Sequence, residues 1–86
     1  MFFVYVLEDD DGEHYIGSTS DLKKRLKEHN HGGTYTTKGR TWRCIYFEAG
    51  LEVTDAHRRE KYFKTNQGRR LLKRRLKDYL YKRRAS

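Results

Sequence analysis

Residues 2–19 have the sequence FFVYVLEDDDGEHYIGST, and this stretch decides the fold. The aromatic and β-branched residues at 2–7 favour a strand. The acidic residues at 8–13 are rich in turn formers, and the strand pattern resumes at residues 14–17. The segment therefore predicts a β-hairpin.

Two tyrosines of this hairpin are candidate functional residues. A turn centred near Asp10 places Tyr5 directly opposite Tyr15, and residues opposite each other in an antiparallel pair point to the same face. Both residues are also ordinary strand formers, for which a core or rim position is the simpler interpretation.

A first helix is predicted over about residues 20–30. Ser18 to Asp21 offer several N-caps, apolar residues follow at helical spacing, and Asn30 to Gly33 end the pattern. Arg25 and His29 are four residues apart, which puts them on one helix face, either at a shared ligand or simply in solvent.

The remaining pattern predicts one more strand and two more helices. A polar loop at 32–41 leads to a strand at 42–48, and Thr54 is the expected cap of a second helix. Gly68 is the expected stop or bend. Beyond it a basic amphipathic helix is predicted over about 69–84, with an apolar stripe at Leu72, Leu76 and Leu80. The order ββαβαα indicates an α/β (α+β) fold, a small three-stranded antiparallel sheet flanked by helices.

Positive charge is unevenly distributed along the chain. The 86 residues suit one domain over 1–86, and the formal net charge is +8. Residues 1–67 hold eleven bases and eleven acids, whereas residues 68–86 hold nine bases and only Asp78 as acid. The excess in the C-terminal segment favours a polyanion or an anionic membrane surface as partner, or belongs to a solvated helix face.

The cysteine content and the N-terminus indicate a cytoplasmic protein. Cys44 is the only cysteine, which excludes an internal disulfide and a multi-cysteine zinc site, and we expect no disulfide-linked partner. The N-terminal apolar run is short and acids follow it, so we expect neither a signal peptide nor a membrane span. The oligomeric state stays open.

Four motifs together resemble the GIY-YIG nuclease family. They are FVY at residues 3–5, YIG at residues 15–17, LxxRxxxH at residues 22–29 and AxxRExxxK at residues 56–64. The resemblance covers nearly the whole chain and is greatest to the stand-alone branch related to the N-terminal nuclease domain of the excision-repair subunit. Phe3 stands where the family has glycine.

The resemblance implies a role for each of five residues in phosphodiester hydrolysis. Tyr5 would take the proton of the attacking water, with His29 as a relaying base, because an unperturbed tyrosine has a pKa of roughly 10. Tyr15 would position the water or the phosphate, and Arg25 would bind the phosphate. Glu60 would hold one divalent metal, Mg²⁺ or Mn²⁺. Without the resemblance, Glu60 and Lys64 are an ordinary i,i+4 surface pair.

Further residues near these positions are predicted to contact the substrate. Several are small or hydroxyl-bearing, and others are basic residues that suit phosphate but also suit ordinary turns and helix ends. They are Gly17, Ser18, Thr19, Lys38, Arg40, Lys64, Asn66, Arg69 and Arg70.

The leading hypothesis is a metal-dependent endonuclease acting on DNA in preference to RNA, with a link to DNA repair or processing. So short a chain has no extended base-reading surface, which favours selection by substrate structure. One alternative is a catalytically inactive nucleic-acid-binding module that uses residues 69–84. Another is an interaction domain whose basic helix docks on a partner or on anionic lipid.

Overall fold

Three strands and four helices form the described part of the computed structural model, which comprises residues 1–31 and 39–85 without the side chains of residues 84 and 85. In chain order they are β1 (Phe2–Asp9), β2 (His14–Thr19), α1 (Leu22–Asn30), β3 (Trp42–Leu51), α2 (Val53–Phe63), α3 (Asn66–Arg75) and α4 (Lys77–Ala85). The strands form one antiparallel sheet in the order β2-β1-β3. The predicted α+β class and the three-stranded antiparallel sheet are therefore confirmed. Within the described residues, no helix is both long and apolar enough to cross a membrane.

The hairpin forms with a register two residues away from the predicted one. Tyr5 pairs with Gly17, and Tyr15 lies opposite Leu7, so the prediction that the two tyrosines directly face each other is wrong. The turn lies one residue later than expected because Gly12 adopts a φ of +83°, a conformation that glycine accepts readily. A shift of two residues preserves the side-chain face, so both tyrosines still point to the same side of the sheet.

Several predicted boundaries move by a few residues. Helix α1 begins at Leu22, because the side chain of Asp21 caps it by accepting the backbone N–H of Lys24. Strand β3 continues to Leu51 instead of ending at residue 48. The N-cap of α2 is consequently Glu52 and not Thr54, which lies inside the helix.

Alternate side chains of β1 point to opposite faces of the sheet, and each face has its own core. The core beneath α2 and α3 contains Val4, Val6, Ala56, Phe63 and Leu72. The core beneath α1 contains Tyr5, Leu7 and Trp42, with Leu22 and Leu26 packed against it. The central strand therefore links all of the helices that carry candidate site residues.

Gly68 lies inside α3, so the prediction of a stop or bend there is wrong. Thr65 caps this helix by accepting the backbone N–H of Gly68. A Cβ at Gly68 would collide with the carbonyl oxygen of Tyr62 and would lie 2.7 Å from Cα of Phe63. The glycine permits the close contact between the start of α3 and the end of α2.

The basic C-terminal segment forms two helices, whereas one helix over about 69–84 was predicted. Helix α3 ends at Arg75, Leu76 is its C-cap, and α4 begins at Lys77, so the element order is ββαβααα. Beyond the break, α4 packs onto the hairpin through Tyr79 and Arg83.

The contact between α4 and the hairpin centres on the carboxylate of Glu8, which is 1% exposed. Its Oε1 accepts hydrogen bonds from Tyr79 Oη at 2.6 Å and Arg43 Nη2 at 3.0 Å, and Arg83 Nε lies 2.7 Å away. Its Oε2 pairs with His14 Nε2 at 2.9 Å. Burial alone would raise the pKa of Glu8, but the hydrogen bonds from Tyr79, His14 and Arg43 outweigh it and hold the pKa below its ordinary value.

We predict that Tyr79→Phe lowers the free energy of unfolding at pH 7 by about 1–3 kcal/mol, because a buried carboxylate loses a hydrogen-bond donor. Urea denaturation measures the change. The matched control is Tyr81→Phe on the same helix, where the side chain is 72% exposed; it should change stability by less than about 0.5 kcal/mol. Because the Glu8 pKa is lowered on folding, its contribution is present above pH 4.5 and is lost as the pH falls through the folded-state value. Equal losses of stability in Tyr79→Phe and Tyr81→Phe would contradict the conclusion that Tyr79 holds α4 on the hairpin.

Candidate active site

The phenol of Tyr5 lies over the backbone of Gly17 on the neighbouring strand. The Tyr5 side chain is 1% exposed, and its cross-strand partner is Gly17. A Cβ at Gly17 would collide with the Tyr5 hydroxyl oxygen and would lie 2.7 Å from Cζ. The glycine of the YIG motif therefore makes room for the tyrosine of the first motif.

Tyr5, Tyr15 and His29 form an aromatic cluster between the hairpin and α1. The Tyr5 hydroxyl oxygen lies 3.0 Å from Nε2 of His29, which is itself 1% exposed. The Tyr15 ring stacks on Tyr5 at 6.4 Å between centroids and tilts against the His29 ring at 4.7 Å. All three side chains are thus held by packing as well as by the hydrogen bond.

The electrostatics of the cluster keep Tyr5 protonated and His29 neutral. Burial raises the pKa of Tyr5 well above its ordinary value, and Tyr15 acts in the same direction, while Arg25 opposes both. Burial also lowers the pKa of His29, and the positive charge of Arg25 adds to that effect. In the tautomer that carries its proton on Nδ1, His29 accepts the Tyr5 hydroxyl hydrogen on Nε2.

Arg25 reaches the same place from α1, one helical turn before His29. Its positive charge acts on the Tyr5 hydroxyl and opposes the rise in the Tyr5 pKa. Its Nε also forms an ion pair with Glu28 Oε1 at 3.1 Å, and its side chain is 39% exposed. An arginine that is anchored at one end and partly open to solvent is suited to bind an anion.

Glu60 approaches the cluster from α2 on the other side of the hairpin. Its Oε1 accepts a 2.6 Å hydrogen bond from the hydroxyl of Ser18, and its Oε2 accepts a 3.0 Å bond from Nζ of Lys64. The Glu60 charge is close enough to raise the pKa of Tyr5. Burial alone would raise the Glu60 pKa, but Ser18 and Lys64 together hold it below its ordinary value, so the carboxylate is ionised at pH 7.

Of the five residues that the sequence nominated for chemistry, Tyr5, Tyr15 and His29 are in direct contact, and Arg25 and Glu60 act on the Tyr5 hydroxyl through their charges. Two residues that were predicted to contact the substrate, Ser18 and Lys64, donate hydrogen bonds to the Glu60 carboxylate and so are not free for a ligand. Gly17 serves close packing with Tyr5.

Other predicted substrate contacts have structural partners or lie apart from the cluster. The buried Thr19 hydroxyl exchanges hydrogen bonds with the backbone of Asp21 at the start of α1. Arg40 forms a 3.0 Å ion pair with Asp9 and lies 5.9 Å from the Trp42 ring. Arg69 lines a cleft between α3 and the acidic hairpin turn. Asn66 and Arg70 are exposed on α3, and Lys38 lies outside the described residues.

Sequence reasoning missed the residues that fix the end of α1. The Asn30 amide donates to the carbonyl of Trp42 at 3.0 Å and accepts its N–H at 2.6 Å, which ties the turn carrying His29 to β3. The Trp42 ring also packs against Tyr15 at 6.2 Å. An asparagine at a helix end carries a capping signal but no signal for a partner twelve residues away.

The donor set at Glu60 fits a weakly held divalent cation. Among the described residues, no group of three or more His, Cys, Asp or Glu side chains could hold a metal ion, so a closed protein site of the zinc type is absent there. Mg²⁺ commonly binds through one or two carboxylates, keeps several waters and takes further oxygens from substrate phosphate. The single Glu60 carboxylate, which is ionised and partly exposed, matches that preference.

Comparison with known proteins agrees with this geometry. The family model described as "GIY-YIG catalytic domain" matches residues 1–73. The chain belongs to the GIY-YIG family. A UPF0213 protein of Clostridium perfringens is 41% identical over 66 residues, which are 74% of this chain and 71% of that protein. The UPF0213 protein YazA of Bacillus subtilis is 39% identical over 64 residues, or 72% and 65% of the two chains.

A solved structure supports the same assignment. The solution NMR structure of a UPF0213 protein from Bacillus halodurans matches with a TM-score of 0.51 and 34% identity, covering 84% of this chain and 82% of the other. The GIY-YIG domain is a nuclease domain, so nucleic acid is the substrate class that it implies. Helix α4 lies beyond the residues that match the family model.

We predict that Gly17→Ala destabilises the GIY-YIG domain by about 1–3 kcal/mol, because the new methyl group overlaps the Tyr5 phenol. A double-mutant cycle with Tyr5→Leu, followed by urea denaturation, tests the cause. Leucine lacks the hydroxyl and Cζ, so Gly17→Ala should cost less in that background. The same cost in both backgrounds would show that another contact limits the site.

Proposed function

We propose that this chain is a metal-dependent endonuclease that hydrolyses phosphodiester bonds in DNA. The observation that carries the proposal is the 3.0 Å contact between Tyr5 and neutral His29, at a place also reached by Arg25 and by the charge of Glu60. Hydrolysis needs a water, a base to deprotonate it, and positive charge on the phosphate. The cluster has residues for the last two needs: Tyr5 and His29 for removal of the proton, and Arg25 for positive charge at the phosphate.

Proton transfer in the proposed reaction runs from water to Tyr5 and from Tyr5 to His29. The raised pKa of Tyr5 disfavours a free phenolate as the resting base. Because His29 is neutral, its Nε2 can accept the phenolic proton while the phenol oxygen takes the proton of the attacking water. The water oxygen then bonds to phosphorus, the P–O bond to the leaving oxygen breaks, and a proton from solvent neutralises the leaving oxygen. His29 finishes protonated and is reset by solvent.

In the proposed reaction, Arg25 and the metal stabilise the negative charge of the phosphate. The Arg25 guanidinium offers hydrogen bonds to phosphate oxygens and stabilises the charge that they gain in the transition state. A divalent cation at Glu60, when bound, supplies Lewis acidity at those oxygens. Tyr15 is proposed to orient water or phosphate, and its packing against both members of the proton-transfer pair supports this role.

The exposed bases of α3 and α4 are proposed to hold the DNA through its phosphates. Six of them form no ion pair with another described side chain: Arg69, Arg70, Lys73, Arg74, Lys77 and Lys82. By contrast, Arg83 is engaged at Glu8 and the hairpin carbonyls, so it is not part of this surface. Contacts of this kind release counterions and carry no base sequence, which supports selection by substrate structure. A link to DNA repair and a cytoplasmic location stay predictions.

We predict that the protein cleaves nicked, flapped or single-stranded DNA with Mg²⁺, and that Arg25→Ala and Glu60→Ala each reduce the rate by about 10²-fold or more. Arg58→Ala is the matched control, since Arg58 is exposed on α2 and pairs only locally with Asp55. Gel assays of labelled substrates measure cleavage, and a filter or anisotropy assay measures binding. Cleavage at equal rates by wild type, Arg25→Ala and Glu60→Ala would contradict the proposal. Salt-dependent binding by wild type without any turnover would favour the alternative of an inactive binding module.

We predict that the cleavage rate falls as the pH drops through the pKa of His29, which lies below 6.5 in the folded protein. The lowered pKa means that the neutral ring is favoured on folding. Its contribution to stability is present above pH 6.5 and is lost as the pH falls through the folded-state value. Circular dichroism must therefore confirm that the protein is folded at each pH. His29→Gln should be slow and should lack this acid limb, and an unchanged acid limb in that variant would exclude His29 as the base.

A further inference from the structure

Both oxygens of the Glu60 carboxylate already have hydrogen-bond partners within the chain. Ser18 donates to Oε1 at 2.6 Å, and the Lys64 ammonium lies 3.0 Å from Oε2. A divalent cation at Glu60 must therefore share an oxygen with one partner or displace it. Ser18 and Lys64 differ in exposure and in how firmly they are held, and these differences decide which of them a cation displaces.

The contact with Lys64 is the weaker and more mobile of the two. Lys64 lies four residues after Glu60 on the surface of α2, and its side chain is 52% exposed. Exposed i,i+4 pairs of this kind stabilise little, and the long lysine side chain regains rotamer freedom when it is released. A hydrated cation can compete with such a contact.

The contact with Ser18 is short and is fixed by the sheet. Ser18 lies on β2 directly opposite Val4, which is 0% exposed, so its backbone cannot move without disturbing the core. A hydroxyl that donates to a carboxylate at 2.6 Å is a charge-assisted hydrogen bond. An ionised carboxylate has about four acceptor positions, so Oε1 can keep this bond while the group binds a cation.

Charge makes Lys64 and a divalent cation mutually exclusive at the same oxygen. Lys64 is among the groups that lower the Glu60 pKa, which shows that it acts as a counter-charge for the carboxylate. A second cation at Oε2 would lie within a few ångströms of the ammonium group, where like charges repel strongly in a partly buried setting.

We propose that Lys64 is an internal counter-cation that occupies Oε2 of Glu60 and is displaced when a divalent cation binds, whereas Ser18 is a positioning residue that holds Oε1 throughout. The inference rests on the proposed function, because it takes Glu60 as the metal ligand.

Binding of Mn²⁺ to the intact chain, followed by electron paramagnetic resonance without DNA, tests the inference independently of catalysis. Lys64→Met should bind Mn²⁺ about twofold or more tightly than wild type, because the competing cation is gone. Lys61→Met is the matched control: it removes the same charge from an exposed position of α2 that has no hydrogen bond to Glu60, and its affinity should stay near that of wild type. Ser18→Ala should bind on the order of tenfold more weakly, and Ser18→Thr should restore binding.

The possible outcomes separate this inference from the proposed function. If Glu60→Ala loses Mn²⁺ binding but Lys64→Met binds no more tightly than Lys61→Met, displacement of Lys64 is wrong and Glu60 is still the metal ligand. If Ser18→Ala binds as well as wild type, the positioning role is wrong. If Glu60→Ala binds Mn²⁺ as tightly as wild type, the metal lies elsewhere, and both the inference and the metal dependence assigned to Glu60 fail. Circular dichroism of each variant confirms that the fold is retained.

Discussion

The alternation of side chains along β1 is the constraint on which both the fold and the site depend. Because successive residues of a strand point to opposite faces, Tyr5 faces α1 while its neighbours Val4 and Val6 face α2 and α3. The central strand thus contributes side chains to both cores and fixes the position of the Tyr5 phenol relative to the helices on both faces of the sheet. A slip of one residue would exchange the faces and separate Tyr5 from His29.

The same strand buries three ionisable groups, Tyr5, Glu8 and Asp9, and the surroundings of Glu8 and Tyr5 explain why Glu8 is structural and Tyr5 is the candidate for chemistry. The Glu8 carboxylate is surrounded by an excess of donors, which favours its charge and secures α4 to the hairpin. The Tyr5 hydroxyl lies 3.0 Å from Nε2 of a neutral imidazole, and burial opposes its ionisation. A proton between two groups that both resist charge can move when an anion or cation arrives nearby, whereas Glu8 is already fully compensated.

The sequence predicted those features that depend on local pattern and on a recurring motif. The hairpin, the helix with Arg25 and His29, and the presence of Glu60 on a later helix all follow from spacing and resemblance. The register of the hairpin did not, because it depends on the positive φ of Gly12. Gly68 permits a close contact between consecutive helices, and α4 after the break at Leu76 packs on the hairpin more than sixty residues earlier in the chain. Periodicity encodes neither kind of packing. The simple interpretation of Glu60 and Lys64 as an i,i+4 pair also holds, together with the position of Glu60 beside the cluster.

By formal charge, the whole positive excess lies in the C-terminal segment. The contacts divide the basic residues of this segment into those that pair within the fold and those that stay exposed. Arg83 neutralises the acidic hairpin together with Arg43, so part of the tail serves to fold the chain. The exposed bases of α3 and α4 are the ones proposed to hold the phosphates of DNA. At the cluster itself, Lys64 compensates Glu60 and Glu28 partly compensates Arg25, so little uncompensated charge exists there before a ligand binds. In the proposed function, long-range attraction of a polyanion and local stabilisation of a phosphate are therefore separate tasks, assigned to different parts of this small fold.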